Sequence, residues 1–158
     1  MSTVIEIGGG EFAFCAAHTG LHEDGFEPLH GHTFLVTVRL AGRRDHAGMV
    51  ADFGQLKTAL REAIRPLRRR TLIATRTDRA TVKSAGGQVR VSDGLRTFEV
   101  PVSDVALLPV PNTTTEEIAG WLLDQVVDQL RERSGLEWAE LTVAEAPDTA
   151  ATVRRDLR

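Results

Sequence analysis

A chain of 158 residues, 42% hydrophobic and 26% charged, has the composition of an ordinary globular protein and the length of a single domain, 1–158. Its net charge of −3, from 19 basic and 22 acidic side chains, leaves no basic footprint for nucleic acid. No apolar run approaches the ~20 residues that span a bilayer. No secretion signal follows Met1, and a single cysteine, Cys15, excludes an internal disulfide, so a cytoplasmic protein is expected.

From Glu11 to His18 the residues alternate as a strand does, with Phe12, Phe14, Ala16 and His18 on one face and Ala13, Cys15 and Ala17 on the other. Cys15 is expected to be a small buried hydrophobe. A polar loop through Gly20 and Pro28 leads to a second strand, His32 to Leu40. Asp52 then precedes a helix to about Leu67. Its apolar face is Phe53, Leu56, Leu60, Ile64 and Leu67, and Asp52 is placed to cap it.

Residues 71–111 read as a small antiparallel β insert. Ala85-Gly86-Gly87 is its hairpin turn, and a third short strand, Phe98 to Val102, lies beyond Asp93-Gly94. A second helix opens at Asn112 to Glu117 with threonine three residues ahead of glutamate, the capping-box pattern. Ile118, Trp121, Leu122, Val126 and Leu130 form its stripe, and Gly135 is expected to stop it. Leu141, Val143 and Glu145 share a face of a late strand, with Thr149 to Val153 as its antiparallel neighbour.

His30-Gly31-His32 sets two imidazoles on the same side of an extended chain, and Gly31 between them leaves room for a metal. His18 ends the preceding strand, and a hairpin would return His32 beside it. Three neutral imidazoles with an open fourth position make a catalytic rather than a structural zinc site. A solvated H-x-H pair is common, and the position of His18 is what turns the pair into a trio. His22 reads as an acid/base group, a spare ligand or a plain loop residue, and His46 as a turn residue.

Five segments together resemble the 6-pyruvoyl- and 6-carboxy-tetrahydropterin synthases. Phe14-Cys15-Ala16-Ala17-His18 is similar to their F-x-A-A-H strand, and Leu29-His30-Gly31-His32 to their L-H-G-H segment. Gly48 to Phe53 resembles G-M-V-x-D-F. Asn112 to Glu116 resembles N-P-T-S-E with Thr113 in place of proline, and Val143-Ala144-Glu145 resembles the late strand whose glutamate grips a pterin. The resemblance implies an α+β tunnelling fold (T-fold): a four-stranded antiparallel sheet with two helices on one face, assembled as a homo-oligomer, a trimer or hexamer. It further implies Zn²⁺ on His18, His30 and His32. Glu145, helped by Thr114 and Thr115, would hold the 2-amino and ring N–H groups of a pterin-like substrate, since a carboxylate accepts from two donors at once.

The chain departs from that pattern where protons move. The family's cysteine, four residues before the first histidine of H-G-H, is Phe26 here. Glu27 follows and resembles the E-x-x-H-G-H variant, in which glutamate is the acid/base group. The family's L-D-H is replaced by Leu67 followed by Arg68, Arg69 and Arg70. Guanidinium stays protonated, so Arg68 and Arg69 are either anion clamps or a solvated helix end. The resemblance thus implies a zinc-dependent lyase acting on a dihydroneopterin-type substrate in pterin, folate or deazapurine biosynthesis. The alternatives are a diverged enzyme using the same pocket on another substrate, and a catalytically silent pterin- or metal-binding protein.

Overall fold

The computed structural model describes residues 1–131 and 133–157. In chain order, β1 (Thr3–Ile7) precedes a 3-10 turn at Gly10–Phe12 and then β2 (Ala13–His18). Two short strands, β3 (Leu21–His22) and β4 (Gly25–Phe26), lead into the long β5 (His30–Gly42). After α1 (Phe53–Ile64) come β6 (Arg70–Ala74), β7 (Thr81–Ala85), β8 (Gln88–Ser92), β9 (Thr97–Pro101) and β10 (Val105–Leu108). α2 (Thr115–Gln129), β11 (Leu136–Ala146) and β12 (Thr149–Asp156) complete the order.

The class is α+β, but the sheet is larger than four antiparallel strands. It has seven, in the order β10-β6-β2-β5-β11-β12, with β1 also on β5. β2, β5, β11 and β12 are the antiparallel centre. β6 and β10 extend it as parallel strands, so the sheet is mixed. Thr71, Leu72 and Ile73 of β6 are all buried. A parallel strand covered on both faces loses its period-2 alternation, so Thr71 to Ile73 carries no strand pattern that would separate it from the insert. Residues 71–111 are therefore not one excursion. Only β7, β8 and β9 form a separate three-stranded sheet. Its first hairpin turns at Gly86 and Gly87, whose φ of 57° and 77° fit a two-residue turn in the left-handed region.

Both helices start on the caps their sequences offer. Asp52 accepts a hydrogen bond from the Gln55 N–H at 2.9 Å, and Thr114 accepts from the Glu117 N–H at 3.4 Å. The α1 stripe Leu56, Leu60 and Ile64 meets Ile118, Leu122 and Val126 of α2 over the inward sheet residues Phe14, Phe34, Val36, Val38 and Leu40. Phe53 is not part of that stripe. It is 50% exposed, one turn ahead of the first buried position, Leu56. Nor does Gly135 end α2, which stops at Gln129; Gly135 turns the chain into β11, and its carbonyl accepts from the Arg43 N–H.

Candidate metal centre

β2 turns Phe14, Ala16 and His18 to the core, and β5 does the same with alternate residues from His30 through Phe34 to Leu40. The three histidines therefore continue the apolar stripes to one end of the sheet. Antiparallel register sets His18 opposite His30 and Ala16 opposite His32. The expectation had paired His18 with His32, because the second strand begins at His30, two residues earlier than the alternation implied. Gly31 also plays another part than the expected one. It faces away from the site, and a Cβ there would stand 3.2 Å from the Ala16 carbonyl oxygen, so it lets β2 and β5 approach.

His18, His30 and His32 each offer one ring nitrogen, and these atoms all lie within 4.8 Å of one another. The Nε2 atoms of His30 and His32 are 3.0 Å apart. Tetrahedral ligand nitrogens on zinc, at bonds of ~2.0–2.1 Å, stand about 3.3 Å apart. Second partners set the tautomers. His18 Nδ1 lies 2.7 Å from the Thr113 carbonyl oxygen and His30 Nδ1 lies 2.8 Å from that of Pro28. A carbonyl only accepts, so Nδ1 carries the proton in both and Nε2 presents its lone pair. His18 Nε2 is the one buried side-chain polar atom without a hydrogen-bond partner among the described residues. Burial pushes the His18 pKa down, against the Thr113 carbonyl that raises it, which keeps the ring neutral and ligating. Phe34 floors the site, with its ring 5.6 Å from His18, 5.4 Å from His32 and 5.0 Å from Phe14. The residues present fit a divalent cation.

Two carboxylates flank the trio. Glu27 Oε1 is 4.0 Å from His30 Nε2 and accepts the Gly20 N–H at 2.8 Å, while Oε2 is 3.5 Å from His22 Nε2. Burial raises the Glu27 pKa, but the Gly20 N–H and the neighbouring histidines outweigh it, and the carboxyl sits below its usual value. On the other side, Glu145 Oε2 is 3.8 Å from His32 Nε2 and accepts the Thr115 hydroxyl at 2.7 Å. Thr114 is occupied with the α2 cap.

Arg68 and Arg69 lie between α1 and β6. Arg68 donates to the Glu11 carbonyl at 3.0 Å. Arg69 has φ of 56°, in the left-handed region, and its N–H bonds the Cys15 carbonyl at 2.7 Å. It lines a groove with Cys15 and Thr33, which alternate away from the histidines, and with His32. Cys15 is exposed rather than buried, because the face of β2 opposite His18 is not the core face, and its Sγ lies 3.4 Å from Thr33 Oγ1. Two contributors escaped sequence reasoning. Thr113 fixes His18 through a backbone atom, which no side-chain pattern reports. Asn112 bonds both the N–H and the carbonyl of Leu21, at 2.9 Å each, and holds the loop that carries Glu27.

A family model described as 6-pyruvoyl tetrahydropterin synthase matches residues 9–156. The chain is 27% identical over 149 residues, 91% of its length and 90% of the other's, to a Methanocaldococcus jannaschii protein named "Putative 6-carboxy-5,6,7,8-tetrahydropterin synthase". A Pyrococcus horikoshii protein of the same name is 26% identical over 132 residues, 84% of this chain and 78% of that one. The solved 6-pyruvoyltetrahydropterin synthase of Plasmodium vivax superposes with a TM-score of 0.93 at 26% identity, covering 99% of both chains. With two helices over a curled mixed sheet, a trio of histidines at its end and this match along nearly the whole chain, the protein belongs to the 6-pyruvoyl tetrahydropterin synthase family.

Proposed function

We propose that this chain is a metal-dependent lyase of pterin biosynthesis that acts on a dihydroneopterin-type substrate, with Glu27 as the group that moves protons. One observation carries the reading: the Glu27 carboxylate lies 4.0 Å from the Nε2 of a candidate metal ligand, His30. That is within reach of a substrate hydroxyl bound beside the trio. His18, His30 and His32 would hold Zn²⁺ through Nε2. When bound, the ion supplies Lewis-acid polarisation of the substrate's side-chain oxygens. Glu27 takes the proton from such a hydroxyl, and Gly20 and His22 keep its carboxylate in place. Glu145, oriented by Thr115, accepts from the 2-amino and ring N–H groups of the pterin.

The Plasmodium vivax relative supports a glutamate in this role, since a glutamate is the catalytic residue changed to alanine or cysteine in two of its solved variants. Cys15, on the opposite face of β2, takes no part. Among the described residues the end strands β10 and β12 each pair on one side, which suits assembly of identical chains into a trimer or hexamer, in the cytoplasm.

The test is turnover of dihydroneopterin triphosphate by the zinc-loaded protein. Glu27→Gln is expected to lower it by about 100-fold or more with metal content unchanged, and Cys15→Ala to leave it as it was. Wild-type turnover in Glu27→Gln removes Glu27 as the base. Zinc and neopterin binding with no turnover by the wild type favours a silent binding protein.

A further inference from the structure

The β7–β9 sheet lies outside the main sheet and contributes no residue to the histidine trio, yet it grips the loop that carries Glu27. Asp93, between β8 and β9, accepts the Phe26 N–H on Oδ2 at 2.6 Å. Its other oxygen, Oδ1, accepts from the N–H groups of Leu95 and Arg96 at 2.8 and 2.7 Å. Arg79, just ahead of β7, donates to the carbonyl oxygens of His22 and Glu23. The Phe98 ring of β9 stands edge-on to Phe26 at 6.1 Å, over a small core of Ile73, Val89 and Val91. Gly25 allows the approach, since a Cβ there would stand 2.6 Å from Asp93 Oδ2. Three ties of different chemistry thus converge on residues 22–26, the four residues before Glu27 among them.

We propose that the β7–β9 sheet is a brace for the proton-transfer loop, with Asp93 as a positioning residue for the Glu27 carboxylate. The proposal rests on the reading of Glu27 as the base. A carboxylate displaced by an ångström loses its line to the proton it must take, so a brace acts on kcat more than on KM. The hydrogen bonds Asp93 receives hold its pKa down to about 2, so the clamp stays ionised, and therefore closed, wherever the enzyme works.

Asp93→Asn isolates the tie. Its amide oxygen can keep the two turn bonds to Leu95 and Arg96, while its NH₂ faces the Phe26 N–H, donor against donor. The experiment uses the zinc-loaded full chain and two readouts. Amide hydrogen exchange at residues 20–27 is expected to quicken about five- to tenfold in Asp93→Asn. Turnover is expected to fall about tenfold in kcat with KM nearly unchanged. In a Glu27→Gln background the same substitution is expected to cost nothing further, because its effect runs through a carboxylate already gone. Arg79→Ala, which cuts an independent tie, should reproduce the exchange and kcat changes, and urea midpoints certify that both variants are folded. Exchange and kcat as in wild type overturn the brace while leaving Glu27 as the base. An equal loss in both backgrounds overturns the positioning role in favour of general destabilisation. Wild-type turnover in Glu27→Gln sinks the base instead, and the exchange data then still decide whether the brace holds the loop.

Discussion

His18 donates its Nδ1 proton to the carbonyl oxygen of Thr113 at 2.7 Å, a residue 95 positions away. The bond ties the end of β2 to the start of α2 and aims Nε2 at His30 and His32. A ring fixed in this way has given up its rotational freedom before any ion arrives, which favours binding. The same bond places Thr115, two residues beyond Thr113, beside Glu145. One backbone carbonyl thus sets the spacing between the histidine trio and Glu145.

Zinc titration of the metal-free chain is therefore expected to raise its melting temperature. Binding to the folded state contributes about 2.7 kcal/mol at a hundredfold excess over Kd. His18→Ala, His30→Ala and His32→Ala should each abolish most of that rise, with His18→Ala the least stable without metal because a buried ring is lost. An undiminished zinc-induced rise in His32→Ala would exclude the trio as the site.

Substitutions at Glu145 and Thr115 are expected to separate substrate binding from metal binding. Glu145→Gln keeps the size of the side chain but replaces one acceptor oxygen with a donor. Affinity for a pterin such as neopterin, followed by fluorescence, is expected to drop about 10- to 100-fold, the range for hydrogen bonds to a charged group. Thr115→Val, which removes the hydroxyl that orients Glu145 Oε2, should drop it about fivefold. Zinc content stays at the wild-type level in both. Loss of zinc in Glu145→Gln would make that carboxylate a ligand instead.

Much of this was legible in the sequence, and the boundary of legibility is physical. β2, β5 and β11 each have one face in the core, so alternation reported them and put His18 on the inward face, while the H-G-H spacing set its two imidazoles on one side of the chain. The caps Asp52 and Thr114 were equally visible, since capping is local chemistry. β6 was not, because burial on both faces erases the period, nor was β10, whose outward Leu107 is as apolar as its buried neighbours, and parallel pairing lies far away in sequence. The brace was hidden for a related reason. Asp93 and Gly94 read as a turn, and nothing local reports that one Asp93 oxygen reaches Phe26, 67 residues away.

Asp93 also sets an acid limb of stability. Its pKa is lowered from 3.8 to about 2 in the folded chain, so the folded state binds the proton less readily than the unfolded one. Its contribution is complete above about pH 4 and is lost as pH falls through the folded value near 2. Urea midpoints measured from pH 5 down to pH 2 are expected to fall more steeply for the wild type than for Asp93→Asn. Parallel slopes would mean that the Phe26, Leu95 and Arg96 hydrogen bonds do not persist in solution.

Phe34 joins the core to the histidine trio, and packing and ligand orientation can be measured apart. It is fully buried, stacked on Phe14 and edge-on to both His18 and His32. Phe34→Ala is expected to cost about 3–5 kcal/mol in the metal-free chain, the usual range for deleting a buried aromatic ring. Phe34→Leu refills most of that volume and should cost less, yet it leaves the imidazoles without the flat surface that limits their tilt. Denaturation with and without zinc distinguishes the roles. If Phe34 orients the ligands, Phe34→Leu loses more stability in the zinc-loaded chain than in the metal-free one, because weakened zinc affinity adds to the packing loss. If the two losses are equal, Phe34 is core alone, and the rings owe their aim to Thr113 and Pro28.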